Sequence, residues 1–580
     1  MVKRSNLILT DLDKPKKINQ ETFFLSDWIS SKNCKKEIVK KPLKSFKKKI
    51  KAYNYIDKIR PEVTSILSEY IFIYHKKKFS KELINSMVSL WVGQYLQFVY
   101  YRWLLLDELI KKKKKFLIND IKIDPSINDY LDVLDFMDLA HENDDFNFFH
   151  LKKILLFRKA EFKNKIKFSH NKKFYKKNFI QRESNNPLKL KIISIFDKVL
   201  DLIVKPLIIK NKFFLKEGFS YSNLIWINFK LRQFPYFGSS TFNWFKLRKK
   251  FKLEREKISF VLKSRKLKKN FEKYVCSNIL KDTPVIFFKS LNDLENYKKK
   301  IALNPKVIIA SHSHFYNELF KLWSFQRMLE KKSKIIIFQH GGNHSKLNPV
   351  FDYEKSISNE FYDWKNNTKK LCGMTKYLNY NITRKKNKKI LFVGFEYRKY
   401  PCRFYPGPLH HDEMNSIDHF AYIINGLNKK NKSNFFFSPN RTILPAHREI
   451  ILRHLDKRNV MENLSLKENI KNFSLIICSS PMTTFFDSIL SGPTLLLIDK
   501  EYWITEKKIN AKYNILKKNN ILFYNVEDLL NHLHKIYPKN IYSWWNSKNV
   551  QYAINTFLKE FNYPENQNSY QKEIIKELTS

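Results

Sequence analysis

Residues 475–494 read LIICSSPMTTFFDSILSGPT, which is the strongest local signal in the chain. Its first four residues form an apolar run with the length of a buried strand, and polar residues with a proline follow at once. Ser479 and Ser480 are suited to cap a helix, and Pro481 fits the first turn of that helix. A strand that runs directly into a helix is typical of a parallel α/β sheet.

Short apolar runs alternate with amphipathic stretches on both sides of this segment. The runs form two groups, separated by the charged segment 365–389. This restart predicts an α/β protein with two Rossmann-like domains facing a crevice. The predicted strands are 284–288, 307–310, 335–338, 390–393, 435–437, 475–478, 494–498 and 521–524.

The N-terminal half has a different pattern. Strand-like runs occur at 7–10 and 23–25, whereas helical periodicity is clear through 63–74 and 83–110. We therefore predict a largely helical insertion in the N-terminal half. The predicted boundaries are 1–375 for the N-terminal domain, about 50–280 for its helical insertion, 386–560 for the C-terminal domain and 561–580 for a C-terminal helix or tail.

The segment 83–101 contains no charged residue and is nearly long enough to cross a membrane. Its several polar side chains would be costly in lipid, which favours a buried helix. The basic runs 47–49 and 111–115 could dock on the anionic inner leaflet, and solvated lysine faces are the alternative. Five scattered cysteines without a CxxC motif, and only a short apolar run near the N-terminus, predict a cytoplasmic protein.

The chain of 580 residues carries a formal net charge of +54, which at first suggests nucleic acid as a partner. The basic residues are spread along the whole chain, and no recognisable nucleic-acid-binding module accompanies them. A codon bias toward A and T would also enrich Lys, Asn, Ile and Phe while leaving only 10 glycines. Nucleic acid is therefore the less favoured partner, and a basic nucleic-acid-binding protein stays open as an alternative function.

Seven of the 10 glycines lie between Gly341 and Gly492. Gly341 and Gly342 follow a predicted strand directly, where backbone N–H groups could cradle an anion, although a tight turn would use the same pair. The histidines at 312, 314, 340 and 344 could hold a metal, but no carboxylate ligand accompanies them, and we expect no metal.

Further candidates for anion binding follow other predicted strands of the C-terminal half. Arg398 and Arg403 come after 390–393, and Arg441 comes after 435–437; arginine suits bidentate phosphate recognition. The remaining candidates sit at the quoted strand–helix junction, where hydroxyls near a helix start favour an anion and a carboxylate could bond a ribose hydroxyl: Ser479, Ser480, Thr483, Thr484 and Asp487.

Several of these segments resemble a family of transferases from bacterial O-antigen and surface-carbohydrate clusters. Residues 25–29 resemble its Leu-Gly-Glu-Trp-Cys-like turn, and 339–342 resemble its Gln-His-Gly-Gly motif. Segments 91–103, 394–403 and 483–494 are similar to its long helix, its Pro-Arg-Tyr region and its Ser-Thr-Thr segment. Three residues depart from the family pattern. Ser26 stands where the family has Gly, and Asp27 and Asp487 stand where it has Glu.

The resemblance implies a GT-B-like glycosyltransferase whose C-terminal domain binds a nucleotide-sugar donor. The acceptor would be a surface glycan or a lipid-linked glycan, and Asp27 or His340 would serve as the general base. No Asp-x-Asp motif is suitably placed, so we expect metal-independent transfer without a cofactor. Transfer of a phosphopolyol and epimerisation of a sugar nucleotide stay open, because one crevice can serve each of these reactions.

Overall fold

A computed structural model of the chain gives the architecture. It describes residues 4–15, 22–26, 28, 37–39, 42–43, 45–163, 165–175, 207–236, 238, 241–256, 260–341, 349–364, 382–395, 398–404, 410–439, 445–461, 469–503, 507–559, 561, 563 and 567–579. Within these ranges, no helix combines the length and the apolar character needed to cross a bilayer.

The described strands form three sheets, and every pair of neighbouring strands is parallel. The α/β class with Rossmann-like parallel sheets is thereby confirmed. The strands are β1 Ser5–Ile8, β2 Thr22–Phe24, β3 Glu37–Ile38, β4 Phe116–Ile123, β5 Ile166–Tyr175, β6 Phe213–Leu215, β7 Val307–Ala310, β8 Lys334–Phe338, β9 Glu360–Tyr362, β10 Ile390–Val393, β11 Phe435–Ser438, β12 Leu475–Cys478, β13 Thr494–Leu497 and β14 Leu522–Phe523.

The strand orders are β3-β2-β1-β4-β5 in the first sheet, β6-β7-β8-β9 in the second and β11-β10-β12-β13-β14 in the third. Two of the three sheets thus belong to the N-terminal half. The orders of the first and third sheets reverse direction next to β1 and β10, as in doubly wound folds. Such folds bind ligands beyond the carboxyl ends of their strands, at the point of reversal.

Helices connect these strands. The longest two, α1 and α2, lie in the N-terminal half, and the segment 83–101 is confirmed as part of a buried helix. The helices are α1 Phe46–Tyr74, α2 Lys81–Ile110, α3 Val133–Glu142, α4 Asp144–Phe157, α5 Tyr221–Lys230, α6 Trp244–Leu247, α7 Asn270–Asp282, α8 Lys289–Lys299, α9 Ser313–Tyr316, α10 Glu318–Leu329, α11 Pro349–Ser356, α12 His410–Gly426, α13 Lys429–Lys432, α14 Pro445–His454, α15 Thr483–Ile489, α16 Lys500–Trp503, α17 Lys507–Lys518, α18 Val526–Ile536, α19 Ile541–Trp545, α20 Lys548–Lys559 and α21 Gln567–Thr579.

The strand predicted at 284–288 is wrong. Residues Val285–Phe287 form a short 3-10 helix, although their side chains are fully buried. The backbone N–H groups of Val285 and Ile286 donate to the carbonyl oxygens of Tyr130 and Leu131, 3.0 Å away in each case. The apolar run therefore buries itself against the segment before α3, outside any sheet.

Alternate residues of the third sheet belong to two different apolar clusters. Leu391 and Val393 of β10 share one cluster with Ile309 of the second sheet and with Phe485 of α15. Phe392 faces the other cluster, under the helices that cover the opposite side of the sheet. Side chains alternate along a strand, so β10 is buried on both faces. One face packs in the apolar cluster that it shares with the second sheet, and the other packs under the helices of the third sheet.

Candidate functional site

The end of β8 leads into a turn that one glutamine holds in place. The Gln339 backbone N–H donates to the carbonyl oxygen of Tyr362, and its Oε1 accepts from the Trp364 N–H, both at 2.9 Å. Its own carbonyl oxygen accepts from Trp364 Nε1 at 2.9 Å, and its Nε2 donates to the Gly341 carbonyl oxygen. These bonds position Gly341 and the exposed His340 side chain at the carboxyl end of β8.

Gly341 also lies against the first residue of helix α15. A Cβ built on Gly341 would be 3.0 Å from Oγ1 of Thr483, a separation that few side chains tolerate. The turn after β8 in the second sheet and the helix after β12 in the third sheet therefore meet. The structure brings together two of the segments that the sequence selected independently.

The predicted helix cap at the strand–helix junction is wrong. Met482 is the N-cap of α15, no side chain caps the helix, and Pro481 precedes its first turn. The hydroxyl of Ser479 donates instead to the carbonyl oxygen of Val393, at 3.0 Å. A buried hydroxyl needs a hydrogen-bond partner, and the end of the neighbouring strand supplies it. Ser479 thus ties β12 to β10, and Ser480 is buried beside it.

Helix α15 has one polar face and one buried face. Thr483, Thr484 and Asp487 are half-buried, and Asp487 lies four residues after Thr483 and three after Thr484, so the three side chains share the polar face. Phe485 and Phe486 point into the apolar core on the other side. The polar face begins at the contact with the turn after β8.

The second sheet contributes a carboxylate that the sequence analysis missed. Glu217, just after β6, accepts hydrogen bonds from the backbone N–H groups of His312 and Ser313, at 2.7 and 2.6 Å, and from Ser313 Oγ at 2.6 Å. It thereby ties the ends of β6 and β7 together. The neighbouring Gly218 has a φ of +105° and is one of only 10 glycines, a signal that could have pointed to Glu217.

Two histidine rings stand at the same edge. The rings of His312 and His340 are 5.4 Å apart, and the Tyr316 ring lies 5.2 Å from that of His312. The carboxyl ends of β6, β7 and β8 therefore present a carboxylate-anchored His312 beside His340. An imidazole ring can act as a general acid or base when a substrate binds beside it.

Behind these rings lies a buried hydrogen-bonded pair. His314 Nε2 is 3.1 Å from Glu354 Oε1, and the Tyr353 hydroxyl donates to the His314 carbonyl oxygen at 3.0 Å. Burial lowers the pKa of His314 well below its usual value and raises the pKa of Glu354 well above its usual value. Burial thus disfavours the charged form of each group, and the hydrogen-bonded pair supports the turn that carries His312.

Of the four histidines considered as metal ligands, the structure describes three, and these three form no ligand set. His314 is bonded to Glu354, while His344 lies outside the described residues. Throughout the part of the chain that the structure describes, no three His, Cys, Asp or Glu side chains are grouped so as to hold a metal.

The first sheet presents a buried carboxylate at the end of β1. Asp13 Oδ1 accepts from the Thr10 N–H at 2.8 Å, and Oδ2 accepts from the Leu9 N–H at 2.9 Å. Burial raises the pKa of Asp13 to about 7, although these backbone N–H groups lower it. Trp28 Nε1 donates to the Leu9 carbonyl oxygen at 3.0 Å. The turn after β1 is thus held from two sides.

The segment after β10 extends to the N-terminal half of the chain, and we call residues 398–404 the arm. Tyr400 donates from its backbone N–H to the His141 carbonyl oxygen, and the Phe404 N–H donates to Gln97 Oε1, at 2.9 and 2.7 Å. Three side chains of the arm join the N-terminal core: Tyr400, Cys402 and Phe404.

The charges of the arm meet acidic groups of the N-terminal half. Arg398 Nη1 lies 3.2 Å from Glu142 Oε1. Lys399 Nζ bridges Asp11 Oδ2 and Asp144 Oδ1, at 2.8 and 2.6 Å.

Arg398 and Arg403 both lower the pKa of the buried His141, after desolvation, which places them near the end of α3. The structure therefore places these two arginines against the N-terminal half, whereas Gly341 and Thr483 meet at the second and third sheets. The predicted role of the two arginines in donor binding stays a prediction.

Another buried arginine was missed by the sequence analysis. Arg384, before β10, donates from Nε to Ser491 Oγ and from Nη2 to Thr494 Oγ1, both at 2.9 Å. It also donates to the carbonyl oxygens of Ser488 and Pro493. Arg384 thus fixes the connection from α15 to β13. Three of the predicted site residues lie outside the described residues: Asp27, Gly342 and Arg441.

Comparison with solved structures shows only distant similarity. A Listeria monocytogenes protein assigned as a UDP-N-acetylglucosamine 2-epimerase has a TM-score of 0.29 and 9% identity, covering 50% of this chain and 79% of that chain. A mutant of the Thermobaculum terrenum O-GlcNAc transferase has a TM-score of 0.26 and 11% identity, covering 52% of this chain and 59% of that chain.

The comparison with curated proteins found no match. The sequence model of the LIC12162 family transferases, in contrast, matches residues 5–578. That range includes all three sheets, the turn after β8 and helix α15. The chain belongs to the LIC12162 family of transferases.

Proposed function

We propose that the protein transfers a sugar from a nucleotide-sugar donor to a surface glycan, either free or linked to a lipid. Membership of a transferase family supports the reaction class. The observation that carries the proposal is the approach of Gly341 to Thr483. It joins the carboxyl ends of strands from two parallel sheets, which is where α/β proteins bind nucleotides and their sugars.

In this proposal, the threonine hydroxyls of α15 and the guanidinium of Arg441 hold the phosphates of the donor, and Asp487 bonds a ribose hydroxyl. The donor side is formed by Ser480, Thr483, Thr484, Asp487 and Arg441, and Gly341 and Gly342 allow the phosphates a close approach to the backbone. Hydrogen-bond donors and a guanidinium at this place would stabilise the charge that develops on the leaving phosphate.

The reaction requires a base on the acceptor side. The acceptor oxygen forms a bond to the anomeric carbon, while the bond from that carbon to the phosphate oxygen breaks and the nucleoside phosphate leaves with the electron pair. His340 or Asp27 takes the proton of the acceptor hydroxyl. His340 is exposed at the end of β8 and adjoins Gly341, so it can reach a sugar that is bound at this turn.

Nucleotide binding tests this proposal directly. We expect one of CMP, UDP, GDP and dTDP, or its sugars, to raise the melting temperature of the purified protein, and we expect Arg441→Ala and Thr483→Val to remove this shift. Arg458→Ala is the matched control, because Arg458 is exposed in the same half of the chain and pairs only weakly with Asp456 at the surface.

The same experiment separates the alternatives. Stabilisation by a short oligonucleotide alone, and only at low salt, would mean that the positive charge binds nucleic acid and that the donor site is absent. If the nucleotide shift occurs, product analysis with the matching sugar nucleotide distinguishes glycosyl transfer from epimerisation and from transfer of a phosphopolyol.

A further inference from the structure

The second sheet has a basic and apolar surface at the edge opposite to the candidate site. Helix α5 exposes Ile225 and Phe229, which lie four residues apart on one face and are 51% and 76% exposed. The turn before β6 exposes Leu207 and Ile209, at 54% and 41%. Large apolar side chains in such numbers are uncommon on one exposed surface unless it contacts something apolar.

Hydrogen bonds hold the two exposed segments together. Asn211 Nδ2 donates to the Phe234 carbonyl oxygen at 2.8 Å. The Gln233 side chain accepts from the Phe213 N–H at 3.1 Å and donates to the Phe213 carbonyl oxygen at 2.8 Å. The turn before β6 is therefore fixed beside the end of α5, which brings together the two segments that carry the four exposed apolar side chains.

Basic side chains surround these apolar residues. Residues 207–236 contain five basic residues and one acidic residue, and the acidic one is Glu217, which is engaged at the other end of β6. Four of the basic residues are exposed beside the apolar ones, and with Leu207, Ile209, Ile225 and Phe229 they form what we call the docking face: Lys210, Lys212, Lys230 and Arg232.

The docking face continues across the sheet. The Lys306 N–H donates to the Lys212 carbonyl oxygen at 2.7 Å, and the Lys334 N–H donates to the Lys306 carbonyl oxygen at 2.8 Å, so lysines stand side by side at three strand starts. Lys334 is paired with Glu360 at 2.6 Å, whereas Lys212 and Lys306 are exposed lysines. In the second sheet, lysines therefore stand at the starts of β6, β7 and β8, and Glu360 at the start of β9 is paired with one of them.

We propose that the docking face binds the surface of an anionic phospholipid bilayer. Lysines attract anionic headgroups, and isolated aliphatic and aromatic side chains between them can enter the boundary of headgroup and acyl chain. Nucleic acid would use the lysines but offers no partner for Leu207, Ile209 and Ile225. The inference does not depend on the proposed function.

The polarity of the sheet makes this orientation compatible with the candidate site. In a parallel sheet all strand starts lie at one edge and all strand ends at the other. Glu217, His312 and His340 lie at the strand ends, whereas the docking face lies at the strand starts. A protein bound through the docking face therefore leaves its candidate site open to solutes from the aqueous phase.

Vesicle sedimentation with the full chain tests the proposal. We expect binding to vesicles of phosphatidylcholine with about one third phosphatidylglycerol, and little binding to phosphatidylcholine alone. Reversing two charges with Lys210→Glu and Lys230→Glu should weaken binding more than tenfold, because each lysine near an anionic surface contributes about fivefold, or about 1 kcal/mol. The pair Ile225→Ser and Phe229→Ser should weaken binding at least fivefold.

The control pair is Lys76→Glu with Lys77→Glu, which reverses two charges in the exposed turn between α1 and α2, outside the docking face and outside the basic runs 47–49 and 111–115. Equal loss in the control and test pairs would overturn the assigned surface. The absence of binding to anionic vesicles would overturn the proposal. So would tight binding of an oligonucleotide if the serine pair weakened that binding as much as it weakened binding to vesicles. Nucleotide-induced stabilisation, measured on the same variants, reports separately on the donor site.

Discussion

Gly341 lies so close to Thr483 that a Cβ on the glycine would be 3.0 Å from the threonine Oγ1. The first residue follows a strand of the second sheet, and the other begins α15 behind a strand of the third sheet. A contact of this kind couples the two residues energetically. A side chain at position 341 would therefore require Thr483 to shift by a few tenths of an ångström.

A double-mutant cycle tests this coupling. Gly341→Ala should lower the melting temperature by a few degrees because its Cβ crowds Thr483 Oγ1, and Thr483→Ala should remove the crowding. Residues in contact deviate from additivity by roughly 0.5–3 kcal/mol. Melting temperatures of the two single variants and the double variant provide the measurement, and strictly additive shifts would show that the residues do not touch.

Glu217 should matter for activity through the position of His312. Glu217→Ala leaves three hydrogen-bond donors of His312 and Ser313 without their acceptor. We expect the free energy of unfolding to fall by about 1–3 kcal/mol, and we expect turnover to fall as well because His312 is no longer held in place. Glu217→Gln keeps one acceptor oxygen and should be intermediate. Initial rates and melting temperatures of the two variants provide the measurement. Turnover of Glu217→Ala within twofold of wild type would show that Glu217 has no part in the site.

The raised pKa of Asp13 predicts a stability that falls as pH rises. Its pKa is about 7 in the folded protein and near 3.8 in the unfolded chain, so the folded state holds the proton more tightly. The resulting stabilisation is fully present below pH 3.8 and is lost as pH rises toward 7, by at most about 4 kcal/mol. Asp13→Asn should flatten this dependence between pH 5 and 8.

Melting temperatures at several pH values supply the test for Asp13, with Asp456→Asn as a control at an exposed carboxylate. An unchanged pH profile in Asp13→Asn would mean that this carboxylate is already ionised in the folded protein.

The arm should loosen when Lys399 is removed. Lys399→Met leaves Asp11 and Asp144 close together without their shared cation, and like charges repel. We expect faster hydrogen exchange at the amides of Tyr400 and Phe404, which in the wild-type protein donate to His141 and Gln97 of the N-terminal half. Exchange measured by mass spectrometry checks this, with Lys388→Met as a surface control; unchanged exchange in the arm would show that its apolar side chains suffice.

Local pattern was sufficient for most strands. The predicted runs 307–310, 390–393 and 475–478 coincide with β7, β10 and β12, because four consecutive apolar residues in a chain of this composition have few other ways to be buried. The run at 284–288 is equally apolar, yet it forms a 3-10 helix because the segment before α3 supplies its hydrogen-bond partners. Nothing in the run itself shows that difference.

Some residues of the candidate site could likewise be predicted from the sequence, and others could not. Gly341 and Thr483 were selected from the sequence because each follows a strand, and strand ends converge in parallel sheets. Glu217 and Asp13 were missed because their importance depends on partners that distant segments or a local turn bring to them.

The sequence by itself determined that this is an α/β protein of parallel strands with polar turns at their ends, since burial and chain direction are local properties of each run. Only the tertiary structure decided which strands share a sheet, that the arm packs on the N-terminal half, and that Glu217 anchors His312. Those outcomes depend on hydrogen bonds and ion pairs between residues far apart in the chain, and their energies have no counterpart in local pattern.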